Sequence, residues 1–164
     1  FGVAPGILIY LWSSFELGSL GWGVSLFFVI CSALRLARFT ADFYLTPKNI
    51  DSKIYFVGVP SPGAAGLSLL PVFIVFEFDI LFFRDPYFNI VNLLIIGFMM
   101  ISKIPTFSLK SINFNRKYSA WIIILIAIVC IGLLSNVWMT LVLLGCSYAI
   151  SIIYTIVKNI KTNN

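Results

Sequence analysis

SLGWGVSLFFVICSALRLARFT, residues 19–40, decides how this chain is read. From Ser19 to Leu34 the stretch carries no charge, and it then closes on two arginines, Arg35 and Arg38. A bilayer core needs about 20 apolar residues in helical form to cross it. This run has that length, and it ends in the residues that belong at a membrane surface. It predicts a transmembrane helix with its basic end in the leaflet that carries anionic lipid.

The same pattern repeats on both sides of it. Phe1 to Trp12 is a shorter apolar segment interrupted by Pro5 and Gly6, and Ser13 to Gly18 is a turn holding Glu16. Ala41 to Pro60 is a polar connection with Lys48 and Lys53. Ser61 to about Phe76 is apolar again and continues through Phe83, with Glu77 and Asp79 near its end. A turn at Arg84 to Pro86 leads to a span from Tyr87 to Ile104, stopped by Pro105. A basic loop from Thr106 to Tyr118 follows. Ser119 to Leu134 and Val137 to Val157 form a hairpin around Ser135 and Asn136, and Lys158 and Lys161 close the chain. The expectation is an all-α, polytopic transmembrane helix bundle. It has about five full spans plus a partial N-terminal one, and residues 1–164 form a single transmembrane domain.

Charge supports this independently of hydropathy. Ten of the eleven basic residues fall on one side: Arg35, Arg38, Lys48, Lys53, Lys103, Lys110, Arg116, Lys117, Lys158 and Lys161. Only Arg84 falls on the other, beside Glu16, Glu77, Asp79 and Asp85. The positive-inside rule makes the first side cytoplasmic, and with it the C-terminus. The chain is 60% hydrophobic and 10% charged, with a mean hydropathy of +1.04. A soluble domain is nearer a quarter charged. The net charge of +5 is therefore a membrane signal, and no nucleic-acid partner is expected.

There is no histidine, which excludes a Ser-His-Asp triad or a His-based metal site within these residues. Cys31, Cys130 and Cys146 lie in apolar runs without metal spacing, and they read as buried small apolar residues. The acids Glu77, Asp79 and Asp85 read as solvated turn residues. Asp42 and Asp51 are too far apart in a loop to form a metal site alone. No internal repeat, heptad seam or soluble domain is evident. The first run is too short to span, and it follows no basic start of a signal peptide. The natural N-terminus is therefore expected to lie upstream of Phe1.

Three segments at the basic side could carry chemistry. Arg35 and Arg38, three positions apart, share one helical face. They can be snorkelling anchors or a paired guanidinium site for phosphate or carboxylate. Ala33 and Ala37 would let a neighbouring helix approach. In Gly58-Val-Pro-Ser-Pro-Gly-Ala-Ala-Gly66, Ser61 can cap a helix with Pro62 at its first position. That helix start would face the cytoplasm, and its free N–H groups could receive an anion. Gly63 keeps side chains out of the way. The other reading is an ordinary capped helix with a small-residue packing face. Ser102 to Lys110 is a third helix end, with Lys103 and Lys110 read as anchors.

These segments, with the opening Phe1-Gly2-Val3-Ala4-Pro5, resemble the bacterial phosphatidylserine synthases of the CDP-alcohol phosphatidyltransferase family. The motifs are FGVAP, ALRLARF, FVGVPSPGAA and SKIPTFSLK, in order and at suitable spacing. The family motif D-G-x2-A-R-x8-G-x3-D-x3-D is not among the 164 residues. In the family it ends about one helical turn before a segment like Phe1-Gly2-Val3. The resemblance thus implies that this chain is the C-terminal part of such an enzyme and inactive alone. It also implies a divalent cation (Mg or Mn) held by carboxylates upstream of residue 1, and CDP-diacylglycerol and L-serine as substrates. The serine hydroxyl would attack the phosphorus bonded to diacylglycerol as an Asp takes its proton, releasing CMP. Arg35, Arg38, Ser61 and Gly63 would contact substrate. A bacterial inner-membrane location is implied, and a homodimer is compatible with it. Another acceptor alcohol (glycerol phosphate or an inositol compound) is the near alternative. A small transporter or helical scaffold is the distant one; it predicts inverted symmetry and polar breaks at the midplane.

Overall fold

The computed structural model describes residues 1–45, 55–102, 105–107 and 116–162. Lys48, Lys53, Asp51, Lys103 and Lys110 lie outside them. Each apolar run becomes a helix: α1 (Val3–Trp12), α2 (Ser19–Leu45), α3 (Ser61–Phe78), α4 (Pro86–Ile101), α5 (Arg116–Ser135) and α6 (Val137–Thr162). Three stretches are long and apolar enough to cross a bilayer: Ser19–Ala41, Ser61–Phe78 and Val137–Val157. α4 has 16 residues, so at 1.5 Å per residue it falls short of a full hydrocarbon core. The architecture is an all-helical membrane bundle, as the hydropathy implies.

The helices alternate in direction, which gives the bundle a basic end and an acidic end. α1 packs on α2 and α3, α2 on α4, α3 on α4 and α6, and α5 on α6. The core holds Ile9, Phe28, Cys31, Val59, Ala64, Leu93, Ile96, Met100 and Ile152. Most other large apolar side chains point outward, among them Leu20, Ile30, Leu34, Val91, Ile95 and Ile131. A soluble protein cannot present such a surface, but lipid can cover it. Lipid also removes the water-driven force between helices, so close packing must hold them. Glycines supply it. A Cβ on Gly97 would stand 2.9 Å from the Phe27 ring, and one on Gly6 would stand 3.3 Å from Val29. Ala33 and Ala37, expected to play this part, are exposed. The close contacts of α2 lie one to three turns earlier, at Phe27, Val29 and Cys31.

The acidic end is built from local caps. Asp85 accepts the Tyr87 amide at 2.8 Å and so caps α4, with Pro86 in its first turn. Asp79 ends α3 in the left-handed conformation, φ 52°, a region where Asp is commoner than most residues. Asn136, between α5 and α6, donates to Glu77 at 3.1 Å. The turn acids thus have structural work, and among the described residues none pairs with another acid.

The basic end departs from the sequence reading in three ways. α2 runs five residues past Thr40, to Leu45. α4 stops at Ile101, so its stop precedes Pro105. Tyr55–Val57 and Pro105–Phe107 pair as a short antiparallel ribbon, with Phe56 opposite Thr106. The ribbon clips the chain entering α3 to the chain leaving α4. It is the only non-helical regular element among the described residues.

Candidate anion site at the basic end

The ribbon's exit sets the site. Gly58 follows it with φ 80°, a conformation open to glycine at little cost. A Cβ there would lie 2.7 Å from the Met100 carbonyl oxygen and 2.9 Å from that of Ser102. The loop before α3 is therefore pressed directly against the end of α4. Val59 is fully buried, and its amide donates to the Met99 carbonyl at 3.4 Å. This contact fixes where α3 begins. Its N-cap is Pro60, in extended conformation, so the helix starts one residue earlier than the Ser61 cap expected from sequence. No side chain caps it.

Arg35 and Arg38 both reach this junction from α2, but to different effect. Arg38 Nη1 donates to the Ile101 carbonyl at 3.3 Å. That carbonyl belongs to the last turn of α4, the negative end of its dipole, so a cation there stabilises the helix end. Arg35 is half-buried, and its Nη2 donates to the Gly58 carbonyl at 3.4 Å. Its Nε is buried and has no hydrogen-bond partner among the described residues. Both bonds are longer than the usual 2.7–3.2 Å. A charged oxyanion would bond at about 2.7–2.9 Å and would compete well against either carbonyl.

The residue that the sequence reading missed is Tyr148, on α6. Its ring lies over Gly63 in the first turn of α3, where a Cβ would overlap Oη, Cζ and Cε1. Its hydroxyl is buried without a hydrogen-bond partner among the described residues, at the same α3 entry that Arg35 reaches through the Gly58 carbonyl. One sequence signal could have found it. Membrane tyrosines favour the interfaces, and Tyr148 sits well inside the Val137–Val157 span. A phenol at that depth needs a polar neighbour.

Arg35 and the Tyr148 ring thus meet at the same α3 entry, at Gly58 and Gly63. Arg38 turns to the α4 terminus. Ser61 lies on the rim of an open groove of about 880 Å³ between α1 and α2, walled by Ile7, Leu8, Val29, Ala33 and Leu36. The groove is almost wholly apolar. Cys31 is buried, Cys130 is exposed and Cys146 is intermediate, and all three are free thiols. Cys130 departs from the buried position expected of it; among the described residues α5 packs mainly on α6.

Curated proteins similar to this chain share one name. The CDP-diacylglycerol–serine O-phosphatidyltransferase of Helicobacter pylori (strain ATCC 700392 / 26695) is 30% identical over 129 residues, which is 79% of this chain and 52% of that protein. The proteins of that name from Mycobacterium leprae and Mycobacterium tuberculosis (strain ATCC 25618 / H37Rv) are 26% and 25% identical over 128 residues. These cover 78% of this chain and 42% and 44% of theirs. The chain spans about half the length, or less, of the curated relatives it matches. No family model matches it. The likeness read from four short motifs is thus a likeness over most of the chain.

Proposed function

We propose that residues 1–164 belong to a phosphatidylserine synthase, in which they bind the acceptor amino acid and the lipid chains of the donor. The observation that carries this is the extent of the match to synthases of that name, 79% of this chain in the Helicobacter protein. The activity is the transfer of a phosphatidyl group from CDP-diacylglycerol to L-serine, with release of CMP. The basic end faces the cytoplasm of a bacterial inner membrane, where serine and the polar CDP headgroup are found, and the C-terminus lies on that side.

The chemistry of the basic end supports the reading. Arg35 offers an under-used, half-buried guanidinium, suited to the serine carboxylate or to a phosphate oxygen. Arg38 steadies the α4 end beside it. The apolar groove lined in part by Ser61 suits an acyl chain, while the headgroup stays at the basic end. Gly63 keeps the start of α3 open for the Tyr148 ring.

The resemblance also implies a divalent cation, and the described residues do not fit one. Among them no three His, Cys, Asp or Glu side chains come together. Glu77 and Asp85 are engaged at the acidic end, away from Arg35. No step is assigned to a cation through these residues.

The test is an assay of the protein carrying the Asp-rich motif ahead of these residues, with radiolabelled serine and CDP-diacylglycerol. Serine-dependent release of CMP and a labelled lipid product are expected. Release driven by glycerol phosphate or inositol, but not serine, would replace the acceptor. No release with any alcohol would favour a transporter or scaffold.

A further inference from the structure

Two buried polar atoms at the basic end lack hydrogen-bond partners among the described residues, Arg35 Nε and Tyr148 Oη. They come from different helices, α2 and α6, and converge on the entry of α3, Arg35 at the Gly58 carbonyl and Tyr148 over Gly63. The Nε–H can only donate, and the phenol is a donor as well as an acceptor. A buried donor left unpaired is costly, and in a membrane no bulk water relieves it. The ring's position is not accidental, because Gly63 provides the space that any side chain would fill. Arg38 instead commits its Nη1 to the Ile101 carbonyl.

We propose that Tyr148 is a substrate-binding residue whose hydroxyl, together with the Arg35 Nε–H, holds the carboxylate of the acceptor amino acid. The inference rests on the reading of this site as the acceptor site, and it names the group recognised there. Two donors, one from α2 and one from α6, match the two oxygens of a carboxylate. One guanidinium balances its single charge. A phosphate, with more charge and more acceptor oxygens, would leave oxygens unmet by these two groups. Gly63 then acts as a positioning residue, because it allows the ring to reach the carboxylate.

The test is equilibrium binding of radiolabelled serine to the protein in nanodiscs, with alanine, serinol and inorganic phosphate as competitors. Serinol keeps the amine and hydroxyl of serine but lacks the carboxylate. Serine and alanine are expected to compete, and serinol and phosphate are not. Tyr148→Phe keeps the ring over Gly63 and removes only the hydroxyl. It is expected to weaken serine binding about tenfold, the scale of one hydrogen bond to a charged group, with the melting transition unchanged. Gly63→Ala should weaken binding in the same direction by displacing the ring. If alanine binds, depends on Tyr148, and serine shows no preference or turnover, the carboxylate site stands and the synthase reading falls. Wild-type serine binding in Tyr148→Phe overturns the inference. So does competition by phosphate alone, or the absence of any carboxylate binding.

Discussion

Replacing Gly58 by alanine tests whether the loop before α3 is as tightly seated as its geometry says. The residue has φ 80°, which costs an L-residue about 1–2 kcal/mol. The new Cβ would stand 2.7 Å from the Met100 carbonyl oxygen and 2.9 Å from that of Ser102. These are backbone atoms and cannot rotate away, so α4 or the loop must shift. Overpacking of this kind costs roughly 1–3 kcal/mol. Together the two effects predict a loss of about 2–5 kcal/mol. The Gly58 carbonyl also accepts from Arg35, so the guanidinium should move and serine binding should weaken. Cys31 is fully buried and can report unfolding to a thiol-reactive dye, in a background where Cys130 and Cys146 are replaced by alanine. Gly66→Ala is the control, because a Cβ there meets nothing within 4 Å and helix propensity favours alanine. Equal melting of Gly58→Ala and the control would refute the seating of this loop against α4.

The arginine pair should separate. In the protein carrying the Asp-rich motif, Arg35→Lys is expected to lower kcat/KM for serine by about tenfold or more, since lysine keeps the charge but loses the planar fork. Arg38→Lys should have a smaller effect, because an ammonium can still reach the Ile101 carbonyl. Equal, wild-type kinetics in both would return the pair to membrane anchors. The 164 residues alone should release no CMP, because the family's Asp motif is not among them; activity above an empty-membrane control would remove the need for it. Single cysteines at positions 16 and 85 should react with an impermeant reagent from outside, and one at position 116 only from the cytoplasm. The reverse pattern would invert the bundle and move the site to the other face.

The bundle was legible in the sequence because the bilayer leaves few options. Each apolar run must be a helix to satisfy its own backbone, and the alternation of basic gaps follows from orientation. The ends of the helices were less legible. α2 continues through Ala41 to Leu45 although hydropathy falls there, because a helix leaving the membrane needs no apolar face. The ribbon is invisible in sequence, since three residues per strand establish no alternation. It forms by pairing residues some fifty positions apart, at the mouth of the bundle. Tyr148 escaped notice for a related reason. A single aromatic in an apolar span carries no local signal, and its meaning depends on Arg35 and Gly63 from two other helices.

The two arginines share a face by spacing, yet their surroundings make them different residues. An arginine that only anchors a helix needs lipid phosphate or water at its head, and its stem can lie along any apolar surface. Arg38 is close to that case, with the α4 terminal carbonyl as a structural partner. Arg35 is not. It lies one turn deeper, half-buried among α2, the α3 entry and α6. One stretched bond goes to Gly58, and its Nε is enclosed without a partner among the described residues. Membrane depth makes a charge expensive, and enclosure denies it the freedom to snorkel. A purely structural residue at that place would be better served by an apolar side chain, which leaves no donor unmet. What suits an arginine there is an anion that arrives and leaves, and a phenol on the opposite helix that helps to receive it.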